Sequence, residues 1–90
     1  MIIEVYGKQD CPLCQSAKKK LTHLLKKWRL DDRVPVVFQD METVDGATEG
    51  DFFDVFDIPS VLLKRDRNSV VARWDGKPPL SEELRAHLGA

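Results

Sequence analysis

The chain has 90 residues, which is the size of one small domain, so a second independent core is not expected. Its hydrophobic fraction of 42% and charged fraction of 32% are those of an ordinary folded protein and exclude a disordered or fibrous one. Fourteen Lys and Arg against fifteen Asp and Glu give a net charge of -1, so the general electrostatic attraction for nucleic acid is missing. Composition therefore predicts a single globular domain over residues 1–90 and no nucleic-acid partner.

The first two predicted elements are a strand and a long helix. Residues 2–6 are rich in β-branched and aromatic side chains and stop at Gly7, which predicts a strand. From Pro12 to Trp28, apolar residues recur at steps of three and four with lysines around them, as in an amphipathic helix. Proline suits the first helical position, because its fixed φ is already helical and its missing N–H would have no partner there. Cys11 is therefore expected at the N-terminal edge of the helix.

The middle of the chain predicts three further strands and a short helix. Residues 34–38 predict a strand, and their proline indicates either a strand start or a sheet edge. Residues 40–57 hold seven acidic residues and no Lys or Arg, and they predict a loop that leads into a short helix. Residues 58–63 and 69–74 are apolar runs, and they predict an antiparallel hairpin around a polar turn at 64–68.

The last predicted element is a short helix after Ser81. Ser81 supplies a hydroxyl for the N-cap, and acidic residues follow in the first turn. The element order is then βαβ-α-ββ-α. A parallel pair of strands followed by an antiparallel pair predicts an α/β fold with one mixed four-stranded sheet covered by helices.

Cys11 and Cys14 are the two cysteines of the chain. A bond across so short a loop constrains the unfolded chain very little, so any disulfide between them is expected to serve chemistry. At a helix N-terminus, unpaired N–H groups and the helix dipole favour a Cys11 thiolate. Cys14 lies one turn further on, in line with the apolar stripe, and is expected to be buried. The pair predicts disulfide exchange in which Cys11 attacks and Cys14 resolves the mixed disulfide.

Three features together resemble the glutaredoxin and thioredoxin superfamily: the first strand, the Cys-Pro-Leu-Cys motif at 11–14, and the segment Phe53–Ser60 before the hairpin. The resemblance covers nearly the whole chain in element order and implies a thioredoxin-like three-layer fold. It also implies that Pro59 is a cis-proline packed against the two cysteines. By the same resemblance, the backbone of Ile58 pairs with an extended substrate peptide by strand addition.

Within the superfamily, the chain is similar to glutaredoxins in its length, in Pro12, and in Lys8 three positions before the first cysteine. Gly76 is the single glycine at the place where glutaredoxins hold glutathione with a pair of glycines. The resemblance therefore implies that Lys8 and Gly76 contact the substrate. Leu13 replaces the glutaredoxin tyrosine, and Asp57 puts a negative charge beside the expected groove.

The sequence predicts a thiol-disulfide oxidoreductase that reduces protein disulfides. It needs no bound cofactor, and its expected electron donor is glutathione or a thioredoxin reductase. Leu13 offers no group that stabilises a thiolate, so a reducing rather than a strongly oxidising potential is expected. A glutathione-dependent glutaredoxin and a non-catalytic protein-binding module of the same fold stay open as alternatives. No metal is expected, since only His23 and His87 are left to complete a zinc site.

The expected setting is a cytoplasmic monomer with no membrane association. No stretch approaches the roughly 18 apolar residues of a membrane span, and the N-terminus lacks the pattern of a signal peptide. The lysines at 18–20 and 26–27 are interpreted as the solvated face of the helix. Together with the acidic run at 40–57 they make the charge distribution uneven, and this asymmetry is a weaker candidate for steering a partner protein.

Overall fold

A four-stranded mixed sheet forms the centre of the computed structural model, which describes residues 1–89. The elements in chain order are β1 (Ile2–Gly7), α1 (Pro12–Lys27), β2 (Val36–Asp40), α2 (Val44–Phe52), β3 (Ser60–Asp66), β4 (Ser69–Trp74) and α3 (Ser81–Leu88). The strands lie in the order β2-β1-β3-β4, and β1 is parallel to β2 but antiparallel to β3, which is antiparallel to β4. The predicted α/β class, element order and mixed sheet are confirmed.

The core is divided into two apolar clusters, one on each face of the sheet. The larger cluster joins the sheet to α1 and α3 and comprises Ile3, Val5, Ala17, Leu21, Leu25, Val34, Val61, Leu63, Trp74 and Leu84. The smaller cluster contains Tyr6, Phe53, Val55 and Leu62 and lies on the side of α2, whose Gly50 approaches Tyr6. Side chains alternate along a strand, so β1 supplies both clusters. Helices on both faces give the three layers that the resemblance implied.

Helix α1 begins where the sequence predicts and ends slightly earlier. Cys11 is its N-cap, and Pro12 is its first residue. Trp28 is the C-cap instead of the last helical residue, because Arg29 adopts a left-handed conformation with φ of 58° that ends the helical geometry.

Strand β2 is shifted by two residues from its predicted position at 34–38. Pro35 accepts a hydrogen bond from the Ile3 N–H at 3.0 Å but has no N–H to donate, so the regular ladder starts at Val36. The strand then continues through Asp40, which shortens the segment predicted as loop and helix.

The predicted hairpin turn was wrong at its first three residues. The polar run at 64–68 predicted the turn, but β3 continues to Asp66, and residues 67–68 alone connect it to β4. Lys64 belongs to the strand because its side chain is only 1% exposed and its ammonium lies against the Glu4 carboxylate. Hydropathy cannot reveal a buried lysine whose partner is 60 positions away.

Glu4 is the centre of a buried polar network on the α2 side of the sheet. Burial raises the pKa of Glu4, but hydrogen bonds from Lys64, Tyr6 and Gln39 outweigh it and hold the pKa below its usual value. Tyr6 donates to one carboxylate oxygen at 2.6 Å and Gln39 to the other at 3.1 Å. The Lys64 ammonium also lies 3.6 Å from the centroid of the Phe53 ring. Both oxygens of the buried Glu4 carboxylate therefore have hydrogen-bond partners, and its charge is paired with Lys64.

The predicted closing helix is present as α3, but it starts one residue earlier than predicted because the predicted N-cap was wrong. Leu80 is the N-cap, and no side chain caps the helix. The reason is that the Leu80 carbonyl already accepts a helical hydrogen bond from Leu84, which places Ser81 inside the first turn.

Replacing the buried acid tests this network. Glu4→Gln leaves the Lys64 ammonium without its counter-charge, and we expect the free energy of unfolding at about pH 7 to fall by about 3 kcal/mol. The pKa of Glu4 is lowered on folding, so its charge stabilises the fold above the ordinary value of 4.5 and ceases to do so as the pH falls through the folded pKa. Urea unfolding across pH should therefore show a shallower acid limb for Glu4→Gln. The exposed Glu42→Gln is the control, and equal effects of the two changes would contradict the account.

Candidate active site

Cys11 and Cys14 form a disulfide at the start of α1, with their Cα atoms 5.2 Å apart. Cys11 is partly exposed, whereas Cys14 is fully buried. The Cys14 N–H donates to the Cys11 sulfur at 3.1 Å, so one of the otherwise unpaired groups of the helix N-terminus points at that sulfur. The same contact and the helix dipole stabilise negative charge on Cys11 when the bond is reduced. The two sulfurs are thus unequal in the way the sequence predicts.

The short loop between β1 and Cys11 is held mainly by backbone carbonyls. The Cys11 N–H donates to the Lys8 carbonyl at 3.3 Å, and the Gln15 side-chain amide reaches the carbonyls of Lys8 and Gln9 at 3.3 and 3.4 Å. The Lys8 side chain itself is exposed. The structure therefore shows a structural use for the Lys8 carbonyl, and contact of its ammonium with substrate stays a prediction.

Gly7, the last residue of β1, is required by the position of Cys14. A Cβ atom on Gly7 would lie 2.6 Å from the Cys14 sulfur and 2.7 Å from its Cβ, closer than side chains approach. Sequence reasoning missed this role and used Gly7 only as a strand end. The available signal was a glycine placed between a buried strand and the motif.

The register of the sheet brings the proline segment to the same edge as the cysteines. Tyr6 of β1 pairs with Ser60 of β3, so the residues that follow β1 and those that precede β3 lie at one end of the sheet. The Ile58–Pro59 bond is cis, as the resemblance implied, and Pro59 is fully buried while Ile58 is half-buried.

Ser60 connects the proline segment to the loop after β4. Its buried hydroxyl donates to the Asp57 carbonyl at 2.5 Å and accepts from the Gly76 N–H at 3.3 Å. Gly76 has a φ of 76°, a conformation that favours glycine. The sequence indicated Gly76 as a site residue but did not reveal the hydrogen bond by which Ser60 holds the loop of Gly76 in place.

A groove with a volume of about 440 Å³ lies beside the disulfide. It is lined by Leu13, Ser16, Ala17 and Lys20 of α1 and by Pro59, Gly76, Lys77 and Pro78. The four helical residues follow one another at the spacing of a single helix face. Leu13, between the cysteines, is 70% exposed, so an exposed apolar side chain adjoins the disulfide. The predicted residues Pro59 and Gly76 meet here.

The two histidines considered as zinc ligands are surrounded by residues other than the cysteines. His87 stacks edge-on against Trp74 with ring centroids 6.0 Å apart, and His23 lines a separate depression on α1. Within residues 1–89, no three His, Cys, Asp or Glu side chains are grouped in a way that could hold a metal ion. None of the helices in that part of the chain has the length and apolar character needed to cross a membrane.

Solved thioredoxin structures share this architecture. Thioredoxin 1 of Thermosipho africanus matches with a TM-score of 0.68 and 20% identity over 99% of this chain and 96% of that one. Thioredoxin-2, described as a component of the malaria parasite protein secretion machinery, matches with a TM-score of 0.76 and 19% identity. The match covers 98% of this chain and 80% of that one. Oxidised mitochondrial thioredoxin 3 of Saccharomyces cerevisiae matches with a TM-score of 0.71 and 16% identity, over 98% of this chain and 76% of that one. No protein-family model and no curated protein sequence matches the chain.

The chain therefore has the thioredoxin fold, with a Cys-x-x-Cys disulfide at the start of its first helix. Identities of this size establish the fold alone. The glutaredoxin-like subtype, which rests on Pro12 and Lys8, stays a prediction.

Gly7→Ala tests the fit between β1 and Cys14. Under reducing conditions we expect this change to lower the free energy of unfolding by about 1–3 kcal/mol, because the new Cβ overlaps the Cys14 side chain. Cys14→Gly removes the two atoms that the Cβ would overlap, so Gly7→Ala should cost about 1 kcal/mol less in that background. Urea unfolding of the four proteins measures the coupling. An equal cost in both backgrounds would show that another contact is responsible.

Proposed function

We propose that this protein is a thiol-disulfide oxidoreductase that reduces protein disulfides through Cys11 and Cys14. One observation carries the proposal: a partly exposed Cys11 sulfur caps the helix, and a fully buried Cys14 lies within disulfide reach of it. A disulfide across four residues adds little to the stability of the fold. A purely structural role would also not require the two cysteines to differ in exposure. An exchange catalyst needs one accessible nucleophile and one protected resolving thiol.

In the reducing direction, the Cys11 thiolate attacks one sulfur of the substrate disulfide. The substrate bond breaks, and its departing thiolate takes a proton from solvent. Cys14 then loses its proton and attacks the Cys11 sulfur, which releases the second substrate thiol. Two electrons pass to the substrate, and the protein is left with the Cys11–Cys14 disulfide.

Substrate is expected to lie along the groove next to Pro59. Strand addition to the backbone of Ile58 would orient it, and Lys8 and Gly76 are the further predicted contacts. The disulfide itself carries the electrons, so the proposal requires no bound cofactor. A separate reductant must reopen the bond, and the cytoplasm and a monomeric state remain the expected setting.

Glutathione is the second candidate for that reductant. Lys20 and Lys77 line the groove and favour an anionic tripeptide, and the exposed Asp57 does not line it. Disulfide reduction measured in parallel with glutathione and with a flavoprotein thioredoxin reductase identifies the donor. Glutathione-dependent turnover alone would establish the glutaredoxin-like alternative.

Cys14→Ser tests the proposed division of labour. We expect this variant to accumulate mixed disulfides with its substrates through Cys11, because no second thiol is left to resolve them. Mass spectrometry of the trapped species, with and without reductant, identifies the bonded residue. Cys11→Ser is the matched control and should trap nothing.

A protein-binding module of the same fold would behave differently. A partner that binds equally well after both cysteines are changed to serine, with no mixed disulfide in Cys14→Ser, would contradict the proposed function.

A further inference from the structure

The groove beside the disulfide combines an apolar floor with positive charge. Its lining includes the apolar residues Leu13, Ala17, Pro59 and Pro78, and Lys20 and Lys77 are its two charged residues. No Asp or Glu of residues 1–89 lines the groove. An apolar side chain is therefore accommodated next to the reactive sulfur, and a carboxylate is favoured where the lysines lie.

The Lys20 ammonium is held in place rather than left free in solvent. It donates a hydrogen bond to the Pro79 carbonyl at 3.0 Å, across the space between α1 and the segment before α3. An ammonium has three donors, so two remain for a ligand. The side chain is half-buried, which reduces the entropy lost when it binds an anion.

Lys77 is exposed on the opposite wall of the groove, and it has no acidic partner among the contacts of residues 1–89. Two acidic residues in the neighbouring segments do not pair with Lys77. Asp75 is paired with Arg73 at 2.8 Å. Asp57 lies next to Gly76: its Cβ is 3.4 Å from the position that a Cβ on the glycine would occupy. Asp57 does not line the groove. An anionic ligand group is therefore directed away from Asp57 and toward the lysines.

The helix sets the distance between the two ends of the groove. Leu13 and Lys20 are seven residues apart on α1, which corresponds to about 10 Å along the helix axis. An extended peptide covers that length with about three residues. When a substrate cysteine reacts beside Leu13, the substrate residue three positions away from that cysteine therefore lies near Lys20.

We propose that the groove selects disulfide-bearing protein segments with an apolar residue next to the reacting cysteine and an acidic residue about three positions away. Lys20 and Lys77 are the specificity-determining residues. The inference rests on the proposed function, because the groove acts on the same exchange step: the substrate disulfide is reduced to two thiols while Cys11 and Cys14 are oxidised.

Single-turnover reduction of synthetic peptides tests the proposal. Each peptide has one cysteine followed by leucine, with Glu, Gln or Lys at the third position after the cysteine, and is dimerised through its disulfide. A second series has the reverse residue order. The protein is reduced beforehand and freed of reductant, so that it is the sole electron source, and the released thiols are followed by chromatography.

In at least one residue order, we expect the Glu peptide to react about threefold to tenfold faster than the Lys peptide, with the Gln peptide between them. The difference should shrink in about 0.5 M NaCl, which screens exposed charges. It should also shrink in the double variant Lys20→Gln, Lys77→Gln. Lys19→Gln, on the same helix but outside the groove, is the control and should keep the preference.

The outcomes separate this inference from the function beneath it. Reduction of all peptides at equal rates, or loss of the preference in Lys19→Gln as well, would overturn the substrate class and leave the oxidoreductase intact. Failure to reduce any peptide would overturn both. Oxidised glutathione, which carries carboxylates but no large apolar side chain, is expected to react more slowly than the Glu peptide. A faster reaction would overturn the assignment of the groove to a protein segment.

Discussion

The close fit of Cys14 against Gly7 is the contact on which this site depends. Because Gly7 has no side chain, the first turn of α1 can approach the end of β1 closely enough to bury Cys14 completely. Cys11 is then left at the helix edge, where it accepts the Cys14 N–H. The same placement turns Leu13 outward into the groove. The chemical difference between the sulfurs follows from packing as much as from the helix dipole.

The two faces of the sheet are stabilised by different kinds of contact. On the α1 and α3 side, apolar packing positions the motif and the groove. On the α2 side, the Glu4 network combines a buried ion pair with a tyrosine and an aromatic ring. Strand β1 contributes side chains to both faces, and its antiparallel pairing with β3 brings the cis-proline segment to the end of the sheet where the cysteines lie. The register of these two strands is therefore what unites residues from distant parts of the chain in one site.

The sequence predicts best where a local pattern determines the structure. Pro12 and the apolar stripe after it predict α1 and the two cysteine environments, because both depend on helix geometry. The prediction fails at Lys64, whose burial depends on Glu4, and no local rule links residues so far apart. Ser60 was missed as a link to Gly76 for the same reason, since a hydrogen bond between two loops leaves no periodic signal.

Selective alkylation of the reduced protein tests the central claim that the two thiols are unequal. Iodoacetamide at about pH 7, followed by peptide mapping over time, gives the rate at each cysteine. The account predicts that Cys11 is modified at least about tenfold faster than Cys14, because Cys11 is accessible and stabilised as a thiolate while Cys14 is buried. Equal rates, or faster modification of Cys14, would contradict it.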